Sequence, residues 1–181
     1  AGAENAPIRF AEQSGVIRSS AISDNGHWVY DTTDYGTIEG ELGGVVQEKN
    51  TCTVLTAIRE LLSLGYKITP QAVKTGFAQV TGLTGLMGRW QIIQRDPLII
   101  CDTGHNVGGW EYLSKQLDQT PCHALHIVIG MVNDKDIHGV LKLLPKKAIY
   151  YFTNASVERA LPAEEFALQA SEHGLKGTIH S

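Results

Sequence analysis

From residue 98 onward the chain alternates short apolar runs with helix-like segments, and this alternation constrains the fold more than any other feature. It predicts strands at 98–101, 124–130 and 148–152 and helices at 107–117, 137–144 and 163–172. Strands that alternate with helices are joined by crossovers and form a parallel sheet. The unbroken run Leu98-Ile99-Ile100-Cys101 indicates a strand in such a sheet with helices on both faces. Residues 178–180 predict a further strand just beginning, so we expect the natural protein to continue.

The first half of the chain shows a different pattern. Short apolar or alternating pieces at 8–10, 16–21, 28–30 and 37–42, separated by Asn25-Gly26 and Tyr35-Gly36, predict small strands and hairpins.

Two helices are expected to follow this β-rich section. Apolar residues at three- and four-residue spacing predict a helix after Asn50 that stops near Gly65, and Thr69-Pro70 predicts the start of a second. Three glycines between 82 and 88 indicate a linker or hinge. We therefore predict two domains, 1–84 and 85–181, the second of which has the α/β pattern.

Composition excludes several classes of protein. Fifteen Lys and Arg against 19 Asp and Glu give a net charge of −4, and the longest basic run is Lys146-Lys147, so we expect no nucleic-acid partner. Apolar runs fall well short of the roughly 18 residues that a membrane span needs. The odd, scattered cysteines Cys52, Cys101 and Cys122 indicate a reducing compartment, the cytoplasm. The first five residues resemble neither an initiator nor a signal peptide, which suggests a piece of a longer chain.

The segment Asp102-Thr103-Gly104-His105-Asn106 lies where a predicted strand ends and a helix begins. In open α/β sheets ligands bind beyond the carboxyl ends of the strands, so polar side chains there are candidates for a site. Asp102 can accept hydrogen bonds from a ribose, and His105 can donate one to a phosphate or carboxylate. Asn106 can cap the helix. The alternative is that the segment only ends the strand and caps the helix.

Two cationic side chains are further candidates. Lys135 lies in Asp134-Lys135-Asp136, whose acids fit an ordinary helix start, whereas a cation there opposes the helix dipole. Arg89 follows the glycine-rich linker, and its guanidinium fork suits two phosphate oxygens when domains close. A surface salt bridge is the alternative for Arg89.

Other binding motifs are absent from the sequence. His123 and His126 lie three residues apart along a predicted strand and would face opposite ways, so we expect no metal site there. The chain contains neither a dinucleotide glycine fingerprint after a strand nor the P-loop pattern. Any phosphate cradle must come from elsewhere.

Five blocks occur in order along the chain: Gly44-Val45-Val46-Gln47-Glu48-Lys49-Asn50, Gly88-Arg89-Trp90-Gln91, Asp102-Thr103-Gly104-His105-Asn106-Val107, Asp134-Lys135-Asp136-Ile137, and Phe152-Thr153 with Arg159-Ala160. Together they resemble the folylpolyglutamate synthase and dihydrofolate synthase family of the Mur ligase superfamily. The third resembles the family's Asp-Gly-Ala-His-Asn-Pro signature, with Gly104 in place of Ala and Val107 in place of Pro. These substitutions leave Asp102, His105 and Asn106 in register.

The resemblance implies the tail of a central ATPase domain followed by a Rossmann-like, mostly parallel C-terminal domain. It implies an ATP- and Mg²⁺-dependent, monomeric cytoplasmic ligase that joins L-glutamate to folate or dihydropteroate through an acyl phosphate. Gln47 and Asn50 would lie near the adenine, Arg89 on the phosphates and Asp102 on the ribose. His105 would reach the transferred phosphate or the incoming glutamate, and Asn106 and Lys135 would help to bind substrate.

The same resemblance puts the P-loop, the magnesium ligands and a modified lysine upstream of Ala1, so we expect no ligase activity from this chain alone. Three alternatives stay open: a Mur ligase of peptidoglycan synthesis, a nucleotide-binding module without catalysis, and a dinucleotide-dependent oxidoreductase. This sequence lacks the glycine fingerprint that a dinucleotide-dependent oxidoreductase uses to bind its cofactor.

Overall fold

The computed structural model describes residues 7–180. The chain forms two compact units, of which the first ends at Thr103 and the second begins at Gly104. No helix among residues 7–180 has the length and apolar character needed to cross a membrane. The domain boundary expected between residues 84 and 85 stays a prediction.

The first unit begins with a small antiparallel sheet. Its strands, in spatial order, are β1 (Ile17–Ile22), β2 (Trp28–Thr32) and β3 (Gly36–Gly40). Both turns use a glycine at positive φ, 86° at Gly26 and 66° at Gly36, a conformation that glycine adopts without steric cost. The expected hairpins are therefore confirmed. The strand expected at 8–10 was wrong, because these residues lead into a 3₁₀ turn, Ala11–Gln13, instead of pairing.

Three helices follow the sheet: α1 (Gln47–Ser63), α2 (Pro70–Ala78) and α3 (Val80–Thr84). Val16, which directly precedes β1, and Ile38 of β3 pack with Leu55 of α1 and Val73 of α2 in the core of this unit. Helix α1 starts at Gln47, four residues before the start expected after Asn50. Gln47 and Asn50 consequently lie together in its first turn.

The start of α2 offers a test of the sequence interpretation. The Thr69 hydroxyl accepts a hydrogen bond from the Ala72 N–H (3.1 Å), and Pro70 occupies the first helical position. We expect Thr69→Ala to lower the free energy of unfolding by about 1 kcal/mol, because one helix N–H loses its partner. Urea unfolding followed by circular dichroism measures this. Thr53→Ala is the matched control, because the Thr53 hydroxyl donates to the Lys49 carbonyl of its own helix and caps no helix end. An equally large loss of stability in Thr53→Ala would contradict the capping role of Thr69.

The first unit ends in a hairpin of β4 (Gln91–Arg95) and β5 (Leu98–Cys101), which pair antiparallel in a two-stranded sheet. The assignment of 98–101 to a buried parallel strand was wrong, because the turn at Asp96-Pro97 folds β5 back on β4 and leaves Leu98 47% exposed. A four-residue apolar run cannot by itself distinguish these two environments.

The second unit has the expected α/β alternation. Its elements are α4 (Val107–Gln119), β6 (His126–Ile129), α5 (Ile137–Leu143), β7 (Ile149–Phe152), α6 (Ala163–Glu172) and β8 (Gly177–Ile179). The three strands form a parallel sheet in the order β6-β7-β8. The mixed α/β fold class is therefore confirmed.

The core of the second unit lies on one face of this sheet. Tyr150 and Phe152 of β7 pack with Leu141 of α5 and Phe166 of α6, each at most 2% exposed. Each strand is the next neighbour of the one before it, and right-handed crossovers in one direction place α5 and α6 on the same side. Helices on both faces were expected, but within residues 7–180 the other face stays open, with Val128 73% exposed.

Candidate functional site

A cavity of about 520 Å³ lies in the first unit. It is lined by the first half of α1, by α2 and by the segment before β4, and Tyr30 of β2 contributes an aromatic wall. Three of the residues singled out in the sequence, Gln47, Asn50 and Arg89, line it together. Apolar side chains such as Val54 and Phe77 form much of the remainder. A mostly apolar cavity of this size with a few polar groups is typical of small-molecule sites.

Gln47 and Asn50 form a pair of amides in the first turn of α1. They are three residues apart and so share one face of the helix. The Asn50 amide donates to the Gln47 side-chain oxygen (3.1 Å), and Gln47 is 5% exposed whereas Asn50 is exposed. The buried amide thus orients the exposed one. An amide has two N–H donors and an acceptor oxygen, so Asn50 retains one N–H and its oxygen for a ligand.

The Tyr30 phenol, which sequence reasoning did not single out, also lines the cavity. Burial raises its pKa to about 12; the charge of Glu48 adds to the increase, and a hydrogen bond with Thr51 opposes it. Only the structure reveals this, because an alternating strand pattern does not tell which aromatic side chain reaches a cavity.

The raised pKa of Tyr30 predicts how the folded chain responds to alkali. The folded pKa lies above the ordinary value of 10, so the contribution of Tyr30 to stability is complete below pH 10 and is lost as the pH rises toward 12. We expect Tyr30→Phe to remove one phenol that ionises near pH 12 from an absorbance titration at 295 nm. Tyr66→Phe, at an exposed position, is the control. Loss of a phenol that ionises near pH 10 on Tyr30→Phe would contradict the buried environment.

Arg89 belongs to the segment that connects α3 to β4. Its guanidinium donates to the Gly88 carbonyl (3.1 Å) and to the Thr103 hydroxyl. None of the ion pairs found among residues 7–180 involves Arg89, so the surface salt bridge considered as an alternative is not seen there. The side chain is half-buried at the edge of the cavity.

Asp102 follows β5 directly and contacts the same segment. Its Oδ2 accepts a hydrogen bond from the Trp90 backbone N–H at 2.7 Å. Trp90 has a φ of 47° and is the one non-glycine residue at positive φ between residues 7 and 180. No sequence signal indicates this, since an aromatic L-residue rarely adopts that conformation.

The other candidate residues lie in the second unit, at the starts of two helices. Asn106 caps α4 by accepting from the Gly109 N–H, and Asp136 caps α5 by accepting from the Gly139 N–H, both at 2.8 Å. The two caps confirm those parts of the sequence interpretation. Asp134 was expected to act as a helix-start acid, but it pairs with Arg159 at 3.0 Å.

These two helix starts lie side by side. A Cβ on Gly139 would come within 2.6 Å of the Val107 side chain, so the first turns of α4 and α5 are in contact. His105 immediately precedes the cap of α4, and Lys135, half-buried, immediately precedes the cap of α5. His105, Asn106 and Lys135 therefore belong to one end of the second unit, whereas Gln47, Asn50, Arg89 and Asp102 belong to the first. The roles expected for these residues stay predictions.

Comparison with known proteins adds three likenesses. The Escherichia coli (strain K12) dihydrofolate synthase/folylpolyglutamate synthase is 33% identical over 134 residues, which are 74% of this chain and 30% of that protein. Escherichia coli FolC, solved with DHPP and ADP, matches with a TM-score of 0.60 and 28% identity over 90% of this chain and 36% of that one. Mycobacterium tuberculosis folylpolyglutamate synthase, solved with ADP and AMPPCP, matches with a TM-score of 0.72 over 91% of this chain and 38% of that one. At 24% identity, the last match supports the fold alone.

The chain thus corresponds to about a third of the length of these relatives. The sequence model described as "Mur ligase, glutamate ligase domain" matches residues 88–181, which is more than half of the chain. That match begins within the first compact unit, at the segment that carries Arg89. The chain therefore belongs to the Mur ligase family and carries its glutamate ligase domain.

Proposed function

We propose that this chain is the C-terminal part of an ATP-dependent ligase that adds L-glutamate to folate or dihydropteroate through an acyl phosphate. The observation that carries the proposal is that Gln47, Asn50 and Arg89, which the family resemblance places on the nucleotide, line one cavity. The relatives named as dihydrofolate synthase/folylpolyglutamate synthase supply the reaction.

In this proposal the cavity of the first unit binds ATP. A volume of about 520 Å³ has room for an adenine and part of its ribose, and apolar walls suit the faces of a base. Asn50, oriented by Gln47, offers the donor and acceptor that the edge of adenine requires. The Arg89 guanidinium contacts the phosphates, and Asp102 accepts hydrogen bonds from the ribose.

The glutamate and the transferred phosphate are assigned to the adjacent helix starts of the second unit. Helix N-termini favour anions, and Lys135 adds a positive charge at one of them. His105 contacts the phosphate or the glutamate, and Asn106 and Lys135 help to hold the glutamate carboxylates. Arg89 and His105 are the catalytic residues of the proposal, since both reach charge that develops during phosphoryl transfer.

ATP with Mg²⁺ supplies the phosphoryl group that activates the carboxylate for attack by the glutamate amine. The 181-residue sequence contains no P-loop, so the phosphate cradle and the magnesium ligands are assigned to the remainder of a longer protein. The isolated chain is therefore expected to be inactive. A monomer in the cytoplasm remains part of the proposal.

A Mur ligase of peptidoglycan synthesis is the second candidate, because the description of the matching sequence model, "Mur ligase, glutamate ligase domain", does not specify folate as the substrate. The blocks Gly88-Arg89-Trp90-Gln91 and Asp134-Lys135-Asp136-Ile137 and the named E. coli relative favour the folate branch. A silent nucleotide-binding module or a dinucleotide-dependent oxidoreductase would not need glutamate.

The test is ATP hydrolysis by this chain joined to its upstream sequence. We expect hydrolysis only when L-glutamate and a folate or dihydropteroate are both present, with a product heavier by one glutamyl residue in mass spectrometry. D-glutamate in place of L-glutamate is the control. A requirement for a muramyl peptide would shift the assignment to the peptidoglycan branch, and binding of ATP without turnover in any mixture would indicate a silent module.

A further inference from the structure

The strained segment around Trp90 is fixed from three sides. Gly88, at φ 70°, lies so close to β5 that a Cβ there would come within 2.6 Å of the Thr103 Cγ2. On another side, a Cβ on Gly43 would come within 2.8 Å of the Trp90 carbonyl oxygen. On the third side, Asp102 accepts the Trp90 N–H at 2.7 Å. Two of these contacts require glycine and the third requires a hydrogen-bond acceptor.

Thr103 and Gln91 extend this set of contacts. The Thr103 N–H donates to the Gly88 carbonyl at 2.9 Å, and the Thr103 hydroxyl donates to the same oxygen at 3.1 Å. The Gln91 side-chain oxygen accepts the Gly88 N–H at 3.0 Å. The Gly88 N–H and carbonyl and the Trp90 N–H are therefore all hydrogen-bonded, and such restraint by the surrounding structure is the condition under which a left-handed aromatic residue persists.

Arg89 is the residue whose direction depends on this conformation. It directly precedes Trp90, so rotation of Trp90 to the usual negative φ turns the peptide that joins them and moves the guanidinium from the edge of the cavity. A hydrogen bond from an N–H to a carboxylate is stronger than one between neutral groups. Asp102 is thus the charged group that favours the left-handed state.

We propose that Asp102 is a positioning residue: it holds Trp90 in the left-handed conformation and thereby aims Arg89 at the cavity shared with Gln47 and Asn50. The effect on nucleotide binding rests on the proposed function of the cavity, whereas the hydrogen bond between Asp102 and Trp90 does not depend on it. The contact with Trp90 uses Oδ2 of Asp102, so it is separate from the ribose contact proposed for the same carboxylate, and only the positioning effect on nucleotide binding passes through Arg89.

The contact is tested first in the 181-residue chain without nucleotide. Amide hydrogen exchange of ¹⁵N-labelled protein reports on the Trp90 N–H directly. We expect Asp102→Ala to accelerate exchange at Trp90 by roughly tenfold or more and Asp102→Asn, which keeps an acceptor oxygen, to restore part of the protection. Asp24→Ala, an exposed carboxylate of the same unit, is the control. Unchanged exchange at Trp90 in Asp102→Ala overturns the proposal.

The consequence is tested by a double-mutant cycle for MgATP affinity in the chain joined to its upstream sequence. We expect Asp102→Ala to weaken binding by a factor about five- to tenfold larger in the parent than in a background where Arg89 is already alanine, because only the parent loses the position of Arg89 as well as any ribose contact. The preference for ATP over 2′-deoxy- and 3′-deoxy-ATP reports on the ribose contact separately. An equal loss in both backgrounds overturns the positioning role and leaves a direct ribose contact as the whole effect of Asp102. If the parent binds no ATP, the proposed function fails, and the exchange experiment still decides the contact.

Discussion

Replacing Arg89 by alanine is expected to reduce kcat/KM for ATP by about 10²- to 10³-fold in the proposed ligase that contains this chain. A guanidinium held at the edge of the cavity can contact two phosphate oxygens at once, and removing one such donor from a developing charge typically costs a factor of this size. Arg89→Lys keeps the charge but not the fork, so we expect it to recover only part of the activity. Steady-state kinetics over a range of ATP concentrations measures both changes.

Arg18→Ala is the matched control for this experiment. Arg18 is exposed and pairs with Asp31 on the small sheet, remote in sequence and in contacts from the segment that carries Arg89. An exposed pair of this kind contributes little, so activity should stay within about twofold of the parent. If Arg89→Ala behaved like Arg18→Ala, Arg89 would have no role in catalysis, and the nucleotide site would have to be sought elsewhere.

The second large effect is expected in the core of the second unit. Phe166 of α6 is fully buried and meets Phe152 of β7 edge to face, with the ring centroids 5.5 Å apart. We expect Phe166→Ala to lower the free energy of unfolding of this unit by about 3–5 kcal/mol, because the change removes buried apolar area and leaves a cavity. Urea unfolding followed by far-UV circular dichroism measures the loss.

Leu168→Ala on the same helix is the control, since Leu168 is 65% exposed and its loss should change stability by no more than about 0.5 kcal/mol. Near-equal destabilisation by the two variants would mean that α6 does not pack on the sheet through Phe166.

Local patterns in the sequence were sufficient for most elements of the second unit. The limits of α6 agree with the expected range, and Asn106 and Asp136 cap α4 and α5 as their position before an apolar-periodic segment indicates. Caps and helical periodicity are properties of neighbouring residues, so they can be read without knowledge of the tertiary structure.

The environment expected for Leu98-Ile99-Ile100-Cys101 was wrong because strand pairing, unlike helix capping, is not a property of neighbouring residues. The apolar run correctly predicted a strand, but its partner is the adjacent strand β4, reached through a tight turn. Which strand pairs with which depends on the path of the whole chain. The open face of the β6-β7-β8 sheet also depends on non-local structure, because the order of the strands places both crossover helices on the same side.

The sequence by itself determined the residue types of the candidate site, the α/β alternation and the helix caps, because each depends on side-chain chemistry or on spacing along a few residues. Only the tertiary structure decided that Gln47, Asn50 and Arg89 line one cavity, that Tyr30 joins them, and that Asp102 holds Trp90 in a left-handed conformation. These facts join residues up to 59 positions apart, from Tyr30 to Arg89, and such contacts arise from packing of whole elements, which no local pattern encodes.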